Sequence, residues 1–209
     1  MIVQWCIKGM SLPDDDAAKA LITGGYGLIC NWWRDVGQIS PPQVRDKLTP
    51  GNLNFHVNHF TVTMPDGRPF SSATPFISLS AGVVERDVAM KTNIVRRARR
   101  TALWFGTDFG RVKTAYLYRC WMVLAPRAAV SIEGVAEEVR DLNTYRRYSD
   151  FQTEGEIAAK VNVPANQIES CEKWVLDVSS GPAVLSLSWV FSNPLFVPPD
   201  QLSNIREVI

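Results

Sequence analysis

The chain has 209 residues, 46% hydrophobic and 21% charged, with a formal net charge of +1. That length can bury a sizeable core as a single domain over residues 1–209, and the composition excludes a disordered or fibrous chain. The near-neutral charge excludes a strong global field toward nucleic acid or membrane, and neither a membrane-length apolar run nor the basic-then-apolar start of a signal peptide occurs.

Residues 2–6, rich in Ile, Val and Trp, predict a first strand. Ser11, Pro13 and the acids Asp14, Asp15 and Asp16 predict a helix start, because a hydroxyl cap, an early proline and first-turn acids all suit a helix N-terminus. That helix should stop at Gly24 and Gly25. Residues 40–75 are broken by Pro41, Pro42, Pro50, Gly51, Pro65 and Gly67, with a strand expected over 55–63. In that strand His56 and His59 read as surface or loop histidines.

Residues 75–80 predict another strand, followed by a helix over 82–105 whose apolar positions Val84, Val88, Val95, Ala98 and Ala102 fall on one face. Its Arg96, Arg97, Arg99 and Arg100 read as a solvated basic face. Residues 114–124 are a strong aromatic and β-branched strand ending before Pro126. A helix is expected over 133–142, an aromatic and basic loop over 145–153, and further strands over 174–178 and 184–191. The sum is α+β with many strands. Cys6, Cys30, Cys120 and Cys171 are dispersed and form no C-x-x-C pair, so reduced, mostly buried thiols are expected and a metal site is not.

Chemistry concentrates at Glu154-Gly155-Glu156. Residues two apart on a strand share a face, so these carboxylates point the same way. Like charges side by side are costly unless a cation, a proton or a ligand relieves them. Such a pair suits a site that stabilises developing positive charge and also positions a nucleophile. By itself it also fits a solvated strand face.

Three segments in order carry a resemblance: a strand running into Lys8-Gly9 with Ser11 beyond, Ser78-Leu79-Ser80 ahead of a helix, and Glu154-Gly155-Glu156 followed by an apolar run and Pro164-Ala165-Asn166-Gln167-Ile168. Together they resemble the Arg / Ser-Thr-Ser / Glu-x-Glu branch of the mono-ADP-ribosyltransferases, which includes cholera-type and pierisin-type toxins. The resemblance runs from about Cys6 to Ile168. It implies split mixed β-sheets with flanking helices, and NAD as co-substrate with no metal.

The resemblance also implies roles. Glu156 would hold the ribose 2′-hydroxyl, and Glu154 would orient or deprotonate the acceptor. Ser78 would position the ribose and Glu156, with Ser80 supporting the strand end. Lys8 would hold the NAD phosphates or ribose, and the backbone of Gly9 would receive the nicotinamide amide. Two departures stand out: Lys8 where Arg is usual, which keeps the charge but loses the planar fork, and Leu79 where Thr is usual. Arg119 is a rival cation by local sequence, although its place in the order does not match. The resemblance also offers a second reading of His56 and His59, since the family sometimes places a histidine there that supports the site.

Acceptor contacts are expected from the loop with Tyr145, Arg147, Tyr148 and Phe151. A first-position Glu resembles the arginine-modifying members. Aromatics interleaved with arginines also suit stacking on bases and contact with phosphates. A protein arginine acceptor therefore leads and a nucleic-acid acceptor follows, with NAD hydrolysis or an inactive NAD-binding relative as further alternatives. From family habit, the expected setting is a cytoplasmic toxin or phage-defence effector, or one delivered into a target cell, with an antitoxin or immunity protein as partner and no membrane association.

Overall fold

The computed structural model describes residues 2–81, 94–124, 135–138, 156–177 and 184–201. Among them run β1 (Ile2–Met10), α1 (Asp15–Thr23), β2 (Leu28–Ile29), α2 (Asn31–Val36), α3 (Pro41–Lys47) and α4 (Pro50–Asn58). These are followed by β3 (Phe76–Ser80), α5 (Ile94–Gly106), β4 (Thr114–Leu124), β5 (Val135–Glu138), β6 (Glu156–Lys160), β7 (Asn162–Val163), β8 (Ile168–Asp177) and β9 (Val184–Ser192).

The strands form a split sheet. One half is antiparallel in the order β1-β4-β8-β9, and the other in the order β3-β6-β5. Among the described residues two narrow joints connect the halves: the pair Ile7↔Ser80 between β1 and β3, and a parallel step pairing Val123 with Val135 and Leu124 with Ala136. The register of β8 shifts between Arg119 and Cys120, and β5 takes over the same edge of β4 just beyond. A separate two-stranded sheet joins β2 to β7. This mixed α+β architecture agrees with the sequence reading.

β4 is buried at nearly every position, as a strand covered on both faces must be. Ala18 and Ile22 of α1 pack on one face with Tyr116, Tyr118 and Met122. Ala98, Ala102 and Leu103 of α5 pack on the other with Ile7, Ala115 and Leu117. A smaller cluster seats Leu53 and Val57 of α4 on Phe76 and Ala158. All four cysteines are buried free thiols.

Three expectations change. Residues 50–58 are helical: Thr49 accepts from the backbone N–H of Asn52, and Pro50 occupies the first turn, where its missing N–H costs nothing. Residues 135–138 of the helix expected over 133–142 form β5, because tertiary pairing with β4 and β6 outweighs local helix propensity. The first helix is capped by Asp14, which accepts from the N–H of Ala17, and not by Ser11. Residues 82–93, where the long helix was expected to begin, lie outside the described residues.

Candidate active site

Past Ile7↔Ser80, β1 continues along β4 while the preceding residues of β3 pair with β6. A cleft opens at this parting. Two adjoining cavities of about 220 and 280 Å³ line it, sharing Lys8, Gly9, His56, Phe60, Ser78 and Phe105. The first also holds Ser80 and Glu156, and the second holds Arg34 and Thr74. The five described residues expected at the NAD site (Lys8, Gly9, Ser78, Ser80 and Glu156) therefore meet in one place.

Strand register explains the convergence. Ser80 pairs with Glu156 and Ser78 with Ala158, so alternate residues of β3 and β6 present Ser78, Ser80 and Glu156 on one face. Ile77, Leu79 and Ile157 point the opposite way into the main core. Leu79 thus replaces a polar residue where an apolar one is favoured.

Among the described residues the cleft sets two cations, Lys8 and Arg34, against one carboxylate, Glu156, and it is partly dry. Burial pushes the Lys8 ammonium below its ordinary range, and Arg34 adds repulsion, while Glu156 and Cys120 oppose the shift. His56, from α4, is 4% exposed and lies 2.9 Å from Ser78 Oγ through Nε2 and 2.8 Å from Thr74 Oγ1 through Nδ1. Burial, aided by the nearby Lys8 charge, pushes its pKa down to about 3, so the ring stays neutral. The walls supplied by Val57, Phe60, Ala102 and Phe105 are apolar and suit a flat ring.

Several expectations fall elsewhere. His56 is not a surface histidine, because the helix carries it inward beside Leu53 and Val57. His59 is exposed and packs its ring on Phe55 at 5.3 Å. Gly9 has a reason of its own: a Cβ there would sit 1.8 Å from the carbonyl oxygen of Ala102, so its bare Cα admits α5. Arg119 lines neither cavity; it lies over Trp5 at 4.6 Å and bonds Glu169 at 2.8 Å. Arg99 is not simply solvated, since it bonds Glu172 at 3.1 Å and lies over Trp174. Glu154, Tyr145, Arg147, Tyr148 and Phe151 lie outside the described residues.

Sequence reading put His56 at the surface ahead of a site-supporting role, and missed Thr74 and Arg34. For His56 a signal existed: Thr49-Pro50 as a helix start, then Leu53, His56 and Val57 at the spacing of one buried helical face. Thr74 and Arg34 carry no comparable local signature.

EcPltA, a solved structure, superposes on this chain with a TM-score of 0.53 at 14% identity, over 94% of this chain and 89% of its own. The fold is that of the ADP-ribosyltransferase toxins. Weaker likenesses to that fold include a buried-residue mutant of E. coli heat-labile enterotoxin, with TM-score 0.46, 16% identity and coverage of 91% of this chain and 76% of that one. Nicked CARDS toxin gives 0.43 at 12% identity, over 93% of this chain and 31% of its own. No family model and no curated protein matches the sequence. Among the described residues no helix is long and apolar enough to cross a membrane.

Proposed function

We propose that this chain is an NAD-dependent mono-ADP-ribosyltransferase that passes ADP-ribose to a macromolecular acceptor, a protein arginine being favoured, and releases nicotinamide. The observation that carries the reading is the cleft at the sheet split, where a carboxylate (Glu156), two serines and two cations (Lys8 and Arg34) line adjoining cavities. Cations suit the NAD diphosphate, hydroxyls suit the ribose, and the apolar walls suit the nicotinamide ring.

Breaking the bond from ribose C1′ to nicotinamide returns its electron pair to the pyridinium and leaves positive charge on the sugar. A fixed carboxylate beside that sugar stabilises the charge as it develops. Glu156 takes this role, and the neutral His56 holds Ser78 without adding competing positive charge. Glu154 takes the proton from the acceptor nitrogen as the new bond to C1′ forms. A nucleic-acid acceptor is the second reading. It is favoured by the exposed rings of Trp104, Phe105 and Phe109, which pack on one another beside the cleft and could stack on bases.

Incubation with labelled NAD and separate protein, RNA and DNA fractions tests the reading. Label in protein supports it, and label in nucleic acid moves the acceptor. Free ADP-ribose alone means hydrolysis, and unchanged NAD removes enzymatic activity. Glu156→Gln should cut nicotinamide release by about 10²–10³ while the circular dichroism spectrum is kept. Glu154→Gln should spare NAD hydrolysis more than transfer, and equal loss of both would argue against its acceptor role. The toxin setting also implies an inhibitory partner, for which co-purification with the product of an adjacent gene is the test.

A further inference from the structure

Thr74 sits just ahead of β3 and is 1% exposed, so its hydroxyl has no bulk water to lean on. Two groups flank its oxygen: the backbone N–H of Phe76, 3.2 Å away, and His56 Nδ1, 2.8 Å away. The Phe76 N–H can only donate, so the oxygen accepts there. The hydroxyl hydrogen then needs an acceptor. Of the two flanking groups only Nδ1 can serve, and only when it carries no proton. A proton on Nδ1 would set two donors against one oxygen and strand the buried hydroxyl hydrogen, an arrangement that native interiors avoid.

We infer that Thr74 fixes His56 as the Nε2–H tautomer, so that Ser78 offers its own hydroxyl hydrogen into the cleft. Nε2–H donates to Ser78 Oγ over 2.9 Å. With that contact accepted, the remaining Ser78 hydrogen turns toward the space that Glu156 also lines. The polarity therefore runs one way, from Thr74 through the imidazole to Ser78, and ends in a donor. A donor at this point suits an anion or a ribose oxygen, whereas the opposite tautomer would present only lone pairs beside a carboxylate. The charged groups lining the two cavities with the ring are Lys8, which disfavours a second ring proton, together with Arg34 and Glu156, opposite in sign to each other. Burial decides between them, and the ring stays singly protonated.

Thr74 is thus a positioning residue that acts through His56. Its catalytic consequence rests on the NAD reading above, but the tautomer itself does not. The chain has two histidines, so ¹⁵N-histidine labelling of a His59→Gln variant leaves one imidazole to observe. At pH 7 the expected long-range ¹H–¹⁵N spectrum shows a protonated Nε2 and an unprotonated, hydrogen-bonded Nδ1. Thr74→Val should move the Nδ1 resonance, because its lone pair loses the donor, and Thr74→Ser should restore it. In the same variants kcat for nicotinamide release should fall about tenfold in Thr74→Val, with KM for NAD nearly unchanged, and recover in Thr74→Ser. A protonated Nδ1 in the parent, an Nδ1 resonance unmoved in Thr74→Val, or a parental kcat in that variant would each overturn the inference. A parent with the expected tautomer that releases no nicotinamide would sink the functional reading and leave the tautomer assignment standing.

Discussion

Lys8 sits where an arginine would offer a planar fork, and it reaches the cleft as a single desolvated ammonium. Lys8→Met should raise the KM for NAD roughly 10- to 100-fold, the worth of one hydrogen bond to a charged group. Lys8→Arg should hold KM or lower it. Nicotinamide-release kinetics decide both, and a Lys8→Met variant with parental KM would free Lys8 from the cofactor site. His56 makes a second test, through pH. Its folded pKa of about 3 lies below the ordinary 6.5, so between those values the unfolded chain binds one more proton than the folded one. The stability linked to this ring is complete above about pH 6.5 and is lost as pH falls, at about 1.4 kcal/mol per pH unit. Urea midpoints taken from pH 7 down to pH 4 should decline less steeply in His56→Gln than in the parent, and matched slopes would contradict the burial argument.

Elements bring these residues together, and α4 and α5 matter most. α4 depends on the Thr49 cap, so Thr49→Ala should cost about 1 kcal/mol of stability. Because α4 carries His56, the same change should also weaken NAD turnover, although Thr49 lines neither cavity. α5 lies against β1 so closely that Gly9→Ala would drive a methyl into the Ala102 carbonyl. The helix backbone must shift, at a cost of about 1–3 kcal/mol, and chemical denaturation measures it. This packing explains why local sequence could suggest a ligand-side reason for Gly9 and miss the helix. A glycine next to a cleft has two faces, and only the tertiary structure says which one is crowded. The same limit applies to 135–138, where a helix-compatible run is recruited as a strand by partners distant in sequence. By contrast 114–124 read correctly because a strand buried on both faces has an unbroken β-branched and aromatic composition. Alternation along a strand let the sequence put Ser78 and Ser80 on one face, whereas the register that brings Glu156 onto the same face exists only in the folded sheet.

At the scale of the whole molecule, the split sheet ranks the strands by protection. β4 is bonded along both edges and sandwiched by helices, whereas among the described residues β9 is an edge strand with exposed Val184, Leu187 and Val190. In hydrogen exchange the β4 amides should open only with global unfolding, and those on the free edge of β9 by local fraying. Equal rates for the two would contradict this division. The joint at Ile7↔Ser80 has a further consequence, one of timing. The cleft draws on residue 8, then 56 and 78, and finally 156, so its parts are among the most distant contacts along the chain. Such long-range closure is slow and comes late in folding. A nascent chain that has not yet released β6 from the ribosome holds the cation and the serines but no carboxylate opposite them. The cell that synthesises this protein therefore meets a complete site only after β6 has been made and has paired with β3.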